Sequence, residues 1–515
     1  MSFLSSQRRR LCFRNERKLY SRTCDATSEK IISIYSPDKP YKVYKTDYWY
    51  SDKWSPLTYG RDFDFNRTFF EQFAELQLAV PRMGLSNVNG VNSDYCNMTF
   101  NNKNCYLIFG GDYNEDCMYG TLCMGNKNTF DNDYGNHNQL CYEIRDSINC
   151  YACQFASDSK NCNNCYFISD CSGCSECILC TNLNQKSYCI ENKQFSREEY
   201  MHKKQELITG SYQKQQELIA RFLELCAKRI VKYSHMINCE NCTGDYMKNS
   251  KNCQNSFDIT GSQDLKNVLF SSVAKDCEEC SLLGDNSELC FNLISTFGAY
   301  NSKYSFFTID SSNIEYSEFS IGSHDLFGCI SLRNESNCIL NKKYKEDEYK
   351  ILKEKIIAHM HKTGEYGQFF PSQLSCFGYN ETSAHDYFPF AKEEALAQGY
   401  KWKDEEDKTR HPQSIQLPDN IADTDQAIVN EILTCENCGK NFRILPQEFE
   451  IYKKSRIPVP RICPDCRHEK RMSMRNPRYL WDRTCAKCGM SIQTTYATDR
   501  PETVYCEKCY LETVY

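Results

Sequence analysis

Polar and apolar positions recur every twelve residues through the middle of the chain. Written in rows of twelve from residue 102, the fourth column reads Cys105, Cys117, Thr129, Cys141, Cys153, Cys165 and Cys177, with Cys189 opening the next row. The first column reads Asn102, Asn114, Asn126 and Asn138, then Cys150, Cys162 and Cys174. A fixed short period predicts a β-solenoid. Twelve residues at about 3.3 Å each give a perimeter of roughly 40 Å, which leaves room inside for one thin layer of small side chains. Cysteine is small and weakly polar at sulfur, and asparagine can ladder its amide from one row to the next. The fifth column, Tyr106, Met118, Phe130, Tyr142, Gln154, Tyr166, Ile178 and Ile190, is expected to point outward. There it either meets a partner, nucleotide bases or a protein, or lies under another part of the chain.

A weaker copy follows. Its fourth column reads Cys253, Leu265 and Cys277, slips by one residue, and resumes as Cys290, Ser302, Ile314, Leu326 and Cys338. Both repeats end alike, in "CIENKQFSREEY" from Cys189 and "CILNKKYKEDEY" from Cys338, each turning into a charged segment that predicts a capping helix. Leu218, Ile219, Phe222 and Leu223 continue the first helical segment. The two chain ends also match at an offset of 461: "RNERKLYSRTC" from Arg14 lies over "RNPRYLWDRTC" from Arg475. The N-terminal copy is expected to keep the backbone path without metal, packing Tyr35, Tyr44 and Trp49, or else to be a poorly ordered relic.

The expected fold class is mainly β: two solenoids of twelve-residue period with helical caps and linkers, a C-terminal double zinc-ribbon module and a degenerate N-terminal copy of it. The boundaries are 1–58 for the metal-free copy, 59–89 for a helical connector, 90–195 for the first solenoid and 196–237 for a helical cap and linker. The second solenoid covers 238–344, its cap 345–362, an extended connector with one short helix near Lys392 363–430, and the zinc-ribbon module 431–515.

Eight of the 34 cysteines form four CxxC pairs near the C-terminus: Cys435/Cys438, Cys463/Cys466, Cys485/Cys488 and Cys506/Cys509. Two residues between thiolates let both sulfurs reach one tetrahedral ion, and two such knuckles complete the four-sulfur set of structural zinc. Two Zn2+ ions per chain are therefore expected, with rubredoxin-like iron or a redox pair as alternatives. Serial and interleaved pairings of the knuckles are both open. Cys171, Cys174, Cys177 and Cys180 resemble a ferredoxin run, but that run has three residues before its last cysteine and then proline, whereas here there are two and then Thr181. These four positions fall in repeat columns and read as packing groups.

Charge adds a partner hypothesis. From Arg461 to Arg483 seven Lys or Arg face three acidic residues, and from Arg8 to Arg22 seven face Glu16 alone. Arg467, Lys470, Arg471, Arg475, Arg478 and Arg483 are candidate phosphate contacts for RNA or the ribosome. A protein partner is the other candidate. The net charge of -6 decides nothing. No apolar run approaches the roughly 18 residues that span a bilayer, and Arg8, Arg9 and Arg10 follow a short apolar start, the reverse of a signal peptide. Without an export signal the cysteines read as reduced thiols and metal ligands, and the expected location is the cytoplasm. No HExxH, GxSxG, phosphate loop or GxGxxG is present, His359 and His361 read as the end of a charged helix, and no small-molecule substrate is evident. The expectation is a non-catalytic scaffold, ahead of RNA binding and of an enzyme or redox protein using the Cys171 to Cys180 coil.

With "SIYSPDKPYKVY", "GRDFDFNRTFFEQF" and "IQTTYATDRPETVYCEKCY", the chain resembles, over nearly its full length, large uncharacterised zinc-ribbon proteins of ultrasmall candidate-phylum bacteria. Such proteins often bear a CaiB/BaiF, class III CoA-transferase label, for which nothing here offers the doubly wound domain or the activated aspartate. The resemblance implies a complete zinc module at the N-terminus of relatives, and this chain starts inside it.

Overall fold

Laddered backbone bonds in a register of twelve residues build two stacks, over residues 87–194 and 236–343. The computed structural model describes residues 3–404, 410–413 and 415–514. In the first stack, strands from Tyr106–Phe109 to Ser187–Ile190 pair parallel, each with the next, so that Tyr106 lies on Met118, Tyr142 on Gln154, and Ile178 on Ile190. An antiparallel strand, Lys193–Gln194, closes this nine-stranded sheet. The second stack is built alike, from an eight-stranded parallel sheet that starts at Met236–Ile237 and a four-stranded one that ends at Lys342–Lys343. The one-residue slip falls where Ser281 pairs with Ile294, thirteen residues on.

The backbone turns a corner every third residue. Asn104, Leu107, Gly110 and Tyr113 all have φ between 52° and 64°, and the pattern repeats along both stacks. Each lap of twelve therefore has four left-handed corners, with an inward position after each: Asn102, Cys105, Ile108 and Gly111 in one lap. Non-glycine corners cost about 1 kcal/mol or more each, and the interior ladders offset that cost. Asn126 Nδ2 donates to Asn114 Oδ1 (2.9 Å) and to the Gly135 carbonyl (3.0 Å), and its Oδ1 accepts the Asn138 N–H (2.8 Å). The thiols act likewise: Cys141 Sγ donates to the Gln139 carbonyl (3.2 Å) and lies 3.5 Å from that of Cys150. Thr129 makes the same two bonds with its hydroxyl, which explains how it replaces cysteine in the column.

Helices cover the stacks. Arg197–Leu207 and Tyr212–Lys228 follow the first stack, with Tyr200 and Leu218 buried against Ile178 and Ile190. Glu346–Thr363 follows the second. The N-terminal copy is ordered: Leu11, Phe13 and Trp49 are buried in the largest core beside Phe306, Phe319 and Phe327 of the second stack. Its hairpin, Tyr20–Thr23 with Lys30–Ser33, repeats the register of Trp481–Thr484 with Ser491–Thr494. The stretch expected to be an extended connector carries the helix Lys392–Ala397, but it is not extended, because burial of Phe369, Phe370, Tyr379 and Phe388 folds it into that same core. The acidic run after Lys403 lies mostly outside the described residues. Among the described residues no helix is long and apolar enough to cross a membrane.

The interior bonds set the ranking of substitutions. Cys141→Ser keeps a single donor between the same two carbonyls and should cost on the order of 1 kcal/mol, whereas Asn126→Ala strands several buried polar groups and should cost on the order of 3 kcal/mol or more. Urea unfolding of the two variants checks this, and equal costs would contradict it.

Candidate metal centres

Each metal candidate combines a hairpin knuckle with the first turn of a helix. In the first, Leu433–Thr434 and Asn441–Phe442 flank Cys435 and Cys438, and Gly439 takes the left-handed conformation (φ 71°) that the tight return needs. Cys463 caps the helix Pro464–Ser473, which carries Cys466 in its first turn. The second site repeats this with Cys485 and Cys488 on the Trp481 hairpin, Gly489 (φ 76°) after them, and Cys506 and Cys509 at the start of the helix Glu507–Val514. The pairing is serial. In each set of four, the sulfurs all lie within 4.8 Å of one another.

The spacing fits a tetrahedral ion. A metal about 2.3 Å from each of four sulfurs holds them about 3.8 Å apart, and Cys438 Sγ and Cys463 Sγ are 3.7 Å apart, Cys488 Sγ and Cys506 Sγ 3.8 Å. The Cys463 N–H points at Cys435 Sγ (3.2 Å), and Asn437 Nδ2 donates to Cys466 Sγ (3.3 Å). Burial raises the Cys435 thiol, but the backbone N–H groups of Cys463 and Cys438 outweigh it and bring it down to about 7. Cys485 is brought down to about 6 in the same way. One thiol of each set is thus eased toward the thiolate before any ion binds, whereas burial pushes Cys463, Cys466 and Cys509 up. In the N-terminal copy the geometry persists without the set, since the Lys45 N–H points at Cys24 Sγ (3.3 Å).

The candidate phosphate contacts are placed elsewhere. Arg467, Arg471, Arg475 and Arg478 are buried, each at most 7% exposed, because they pair with carboxylates of the stacks. Arg467 meets Asp131 (2.9 Å), and Arg471 meets Asp133 (2.7 Å), Asp131 (3.0 Å) and Glu143 (3.2 Å). His468 adds a contact to Asp133 (3.0 Å). Arg475 grips Asp146 (2.7 Å), and Arg478 grips Asp258 of the second stack (2.6 Å). Only Lys470 and the half-buried Arg483 of the six keep solvent access, and Arg483 donates to the Ala497 carbonyl (2.9 Å). The four buried arginines therefore cannot read phosphates in the folded chain. The aromatic column is covered too: Met118, Phe130 and Tyr142 pack under Phe449 and Tyr452, and Glu448 accepts from Tyr119 (2.9 Å).

The acidic partners of these arginines carry no recognisable motif, although Asp131 and Glu143 stand twelve apart, as do Asp146, Asp158 and Asp170. The N-terminal copy repeats the scheme on the other stack. Arg10, equivalent to Arg471, meets Glu279 (3.0 Å) and Asn292 (3.2 Å), and Arg14, equivalent to Arg475, meets Ser295 (2.5 Å).

No family model and no curated protein matches the chain. Among solved structures, one match is a chain from Desulfovibrio desulfuricans G20 with a provisional acetyltransferase description. It is 7% identical, covers 54% of this chain and 82% of that one, and superposes with a TM-score of 0.10. So loose a likeness carries no argument.

Reversing one buried charge should unfold this interface. Arg471→Glu is expected to cost about 3–5 kcal/mol or more, because it leaves Asp131 and Asp133 buried beside a like charge, and a thermal melt at unchanged midpoint would contradict it. A second expectation concerns pH. Burial pushes the Glu143 carboxyl up to about 7 against the pull of Arg471. A folded value above the ordinary one of 4.5 makes its contribution complete below pH 4.5 and lost as pH rises through 7. Glu143→Gln should flatten the stability profile in that window, as measured by denaturant midpoints across pH.

Proposed function

We propose that the protein is a non-catalytic, zinc-binding scaffold: two short-period β-solenoids locked together by a double zinc-ribbon module and its metal-free copy. The observation that carries this reading is the pair of four-sulfur sets, each with the spacing of a closed structural site and neither offering a position for substrate. All-thiolate donors favour zinc or iron over hard cations. The solenoid reading is supported by the twelve-residue register and the four corners per lap. The inward thiols donate hydrogen bonds to carbonyls, which requires them reduced and supports a reducing compartment such as the cytoplasm. RNA binding is not favoured, since its candidate arginines serve inside the chain. A protein partner is therefore the preferred occupant of the outer surface.

Elemental analysis of the purified protein should find two zincs per chain. The combined Cys435→Ser, Cys463→Ser, Cys485→Ser and Cys506→Ser variant should carry none and melt at lower temperature, because metal binding is part of the folding free energy. A folded variant that retains two zincs, or iron in the wild type, would overturn the assignment.

A further inference from the structure

We propose that the groove beside the second tetrad is a metal-exchange port, with Cys242 as the incoming ligand that takes over from Cys488. This rests on reading the tetrads as metal sites. The groove, of about 800 Å³, has Cys488, Cys506 and Cys509 on one wall and Cys242, Thr243 and Gly244 on the other. Cys488 is exposed, while the other three cysteines of its set are buried. Cys239 and Cys242 occupy inward positions of the first lap of the second stack, where no earlier lap covers them, and they are partly exposed. Deeper inward thiols of the same stack, Cys253, Cys277 and Cys290, are at most 2% exposed. Of Cys239 and Cys242, the second lines the groove.

The chain contains its own control. The opening lap of the first stack is built in the same way: Val43 pairs with Arg82 as Val504 pairs with Val231. The Cys105 N–H points at Ser93 Oγ (3.1 Å) as the Cys253 N–H points at Cys242 Sγ (3.4 Å), so Ser93 and Cys242 are equivalent, as are Gly90 and Cys239. Beside that first lap the module has lost its ligands, with Thr27 and Lys45 at the positions of Cys488 and Cys506. A packing role would place thiols equally well in the opening laps of both stacks. At these two positions they stand only opposite the set that can hold a metal, while the opening lap of the first stack carries its thiol, Cys96, at another inward position where it is fully buried.

The step is a ligand exchange without redox change. Cys242 gives up its proton and its sulfur replaces that of Cys488, which takes a proton from solvent. Thiolate attack of this kind needs access, which the groove supplies.

The test uses the full chain loaded with zinc, with two equivalents verified by elemental analysis, then mixed with excess of a chromogenic pyridylazo chelator. One equivalent should leave in a fast phase and the other in a slow one. Carbamidomethylation of Cys239 and Cys242 in the loaded protein, verified by peptide mass mapping, should merge the fast phase into the slow one with both zincs retained beforehand. The Cys239→Ser, Cys242→Ser variant should behave alike. Release of both equivalents at one rate from the untreated protein, or a fast phase that survives modification of both thiols, overturns the proposal. Fewer than two zincs after loading overturns the reading of the tetrads itself, and is seen before any kinetics.

Discussion

Carboxylates that the C-terminal module covers, Asp131 and Asp133 fully buried among them, must each meet a cation, and the rest of the structure is arranged around that requirement. Taking a charge out of water costs several kcal/mol unless a partner and further hydrogen bonds compensate. Asp131, Asp133, Glu143, Asp146 and Asp258 find theirs in one short stretch, Arg467 to Arg478. That stretch begins on the helix whose first turn holds Cys466, next in sequence to Arg467. The first four-sulfur set therefore fixes where the helix starts, and the ion pairs fix which face it turns to the stacks. Metal site and docking surface are two ends of one rigid element.

The internal duplication separates the two roles. The N-terminal copy lost its thiols but kept its arginines, and Arg10 and Arg14 still key into rows of the second stack that match those met by Arg471 and Arg475. Apolar burial holds this copy: Trp49, Phe13 and Tyr35 are all at most 5% exposed, in cores shared with the second stack and with residues 369–377. The C-terminal module has apolar cover as well, with Leu433, Ile444 and Val504 at most 1% exposed, and it alone carries the four-sulfur sets.

Features under local or periodic constraint were legible in the sequence. The twelve-residue register, the slip between Cys277 and Cys290 and the eight cysteines of the two sets follow from spacing alone, whereas the serial pairing of the knuckles needed the fold. Two of the four inward columns were visible because Cys and Asn repeat in them. The other two, from Ile108 and Gly111, mix Gly, Asn, Ser, Ala, Ile and Cys, since any small group fits a narrow interior. The left-handed corners were hidden for a related reason: Leu107, Tyr119 and Phe155 take them as readily as Asn104, because the ladders on either side hold the backbone there. The arginines misled because a sequence shows charge without showing its partner, here more than 200 residues away. Cys239 and Cys242 were absorbed into the repeat, although their spacing matched the four pairs at the C-terminus.

Hydrogen exchange, followed by mass spectrometry on the metal-loaded and the chelated protein, tests most directly whether metal and docking form one unit. Removal of the metal is expected to lower protection in residues 463–478 and, with them, in the stack strands of residues 130–146, while residues 20–33 of the metal-free copy keep theirs. Full protection of residues 130–146 after chelation would show that the stacks hold their buried carboxylates without the module, and would contradict the coupling.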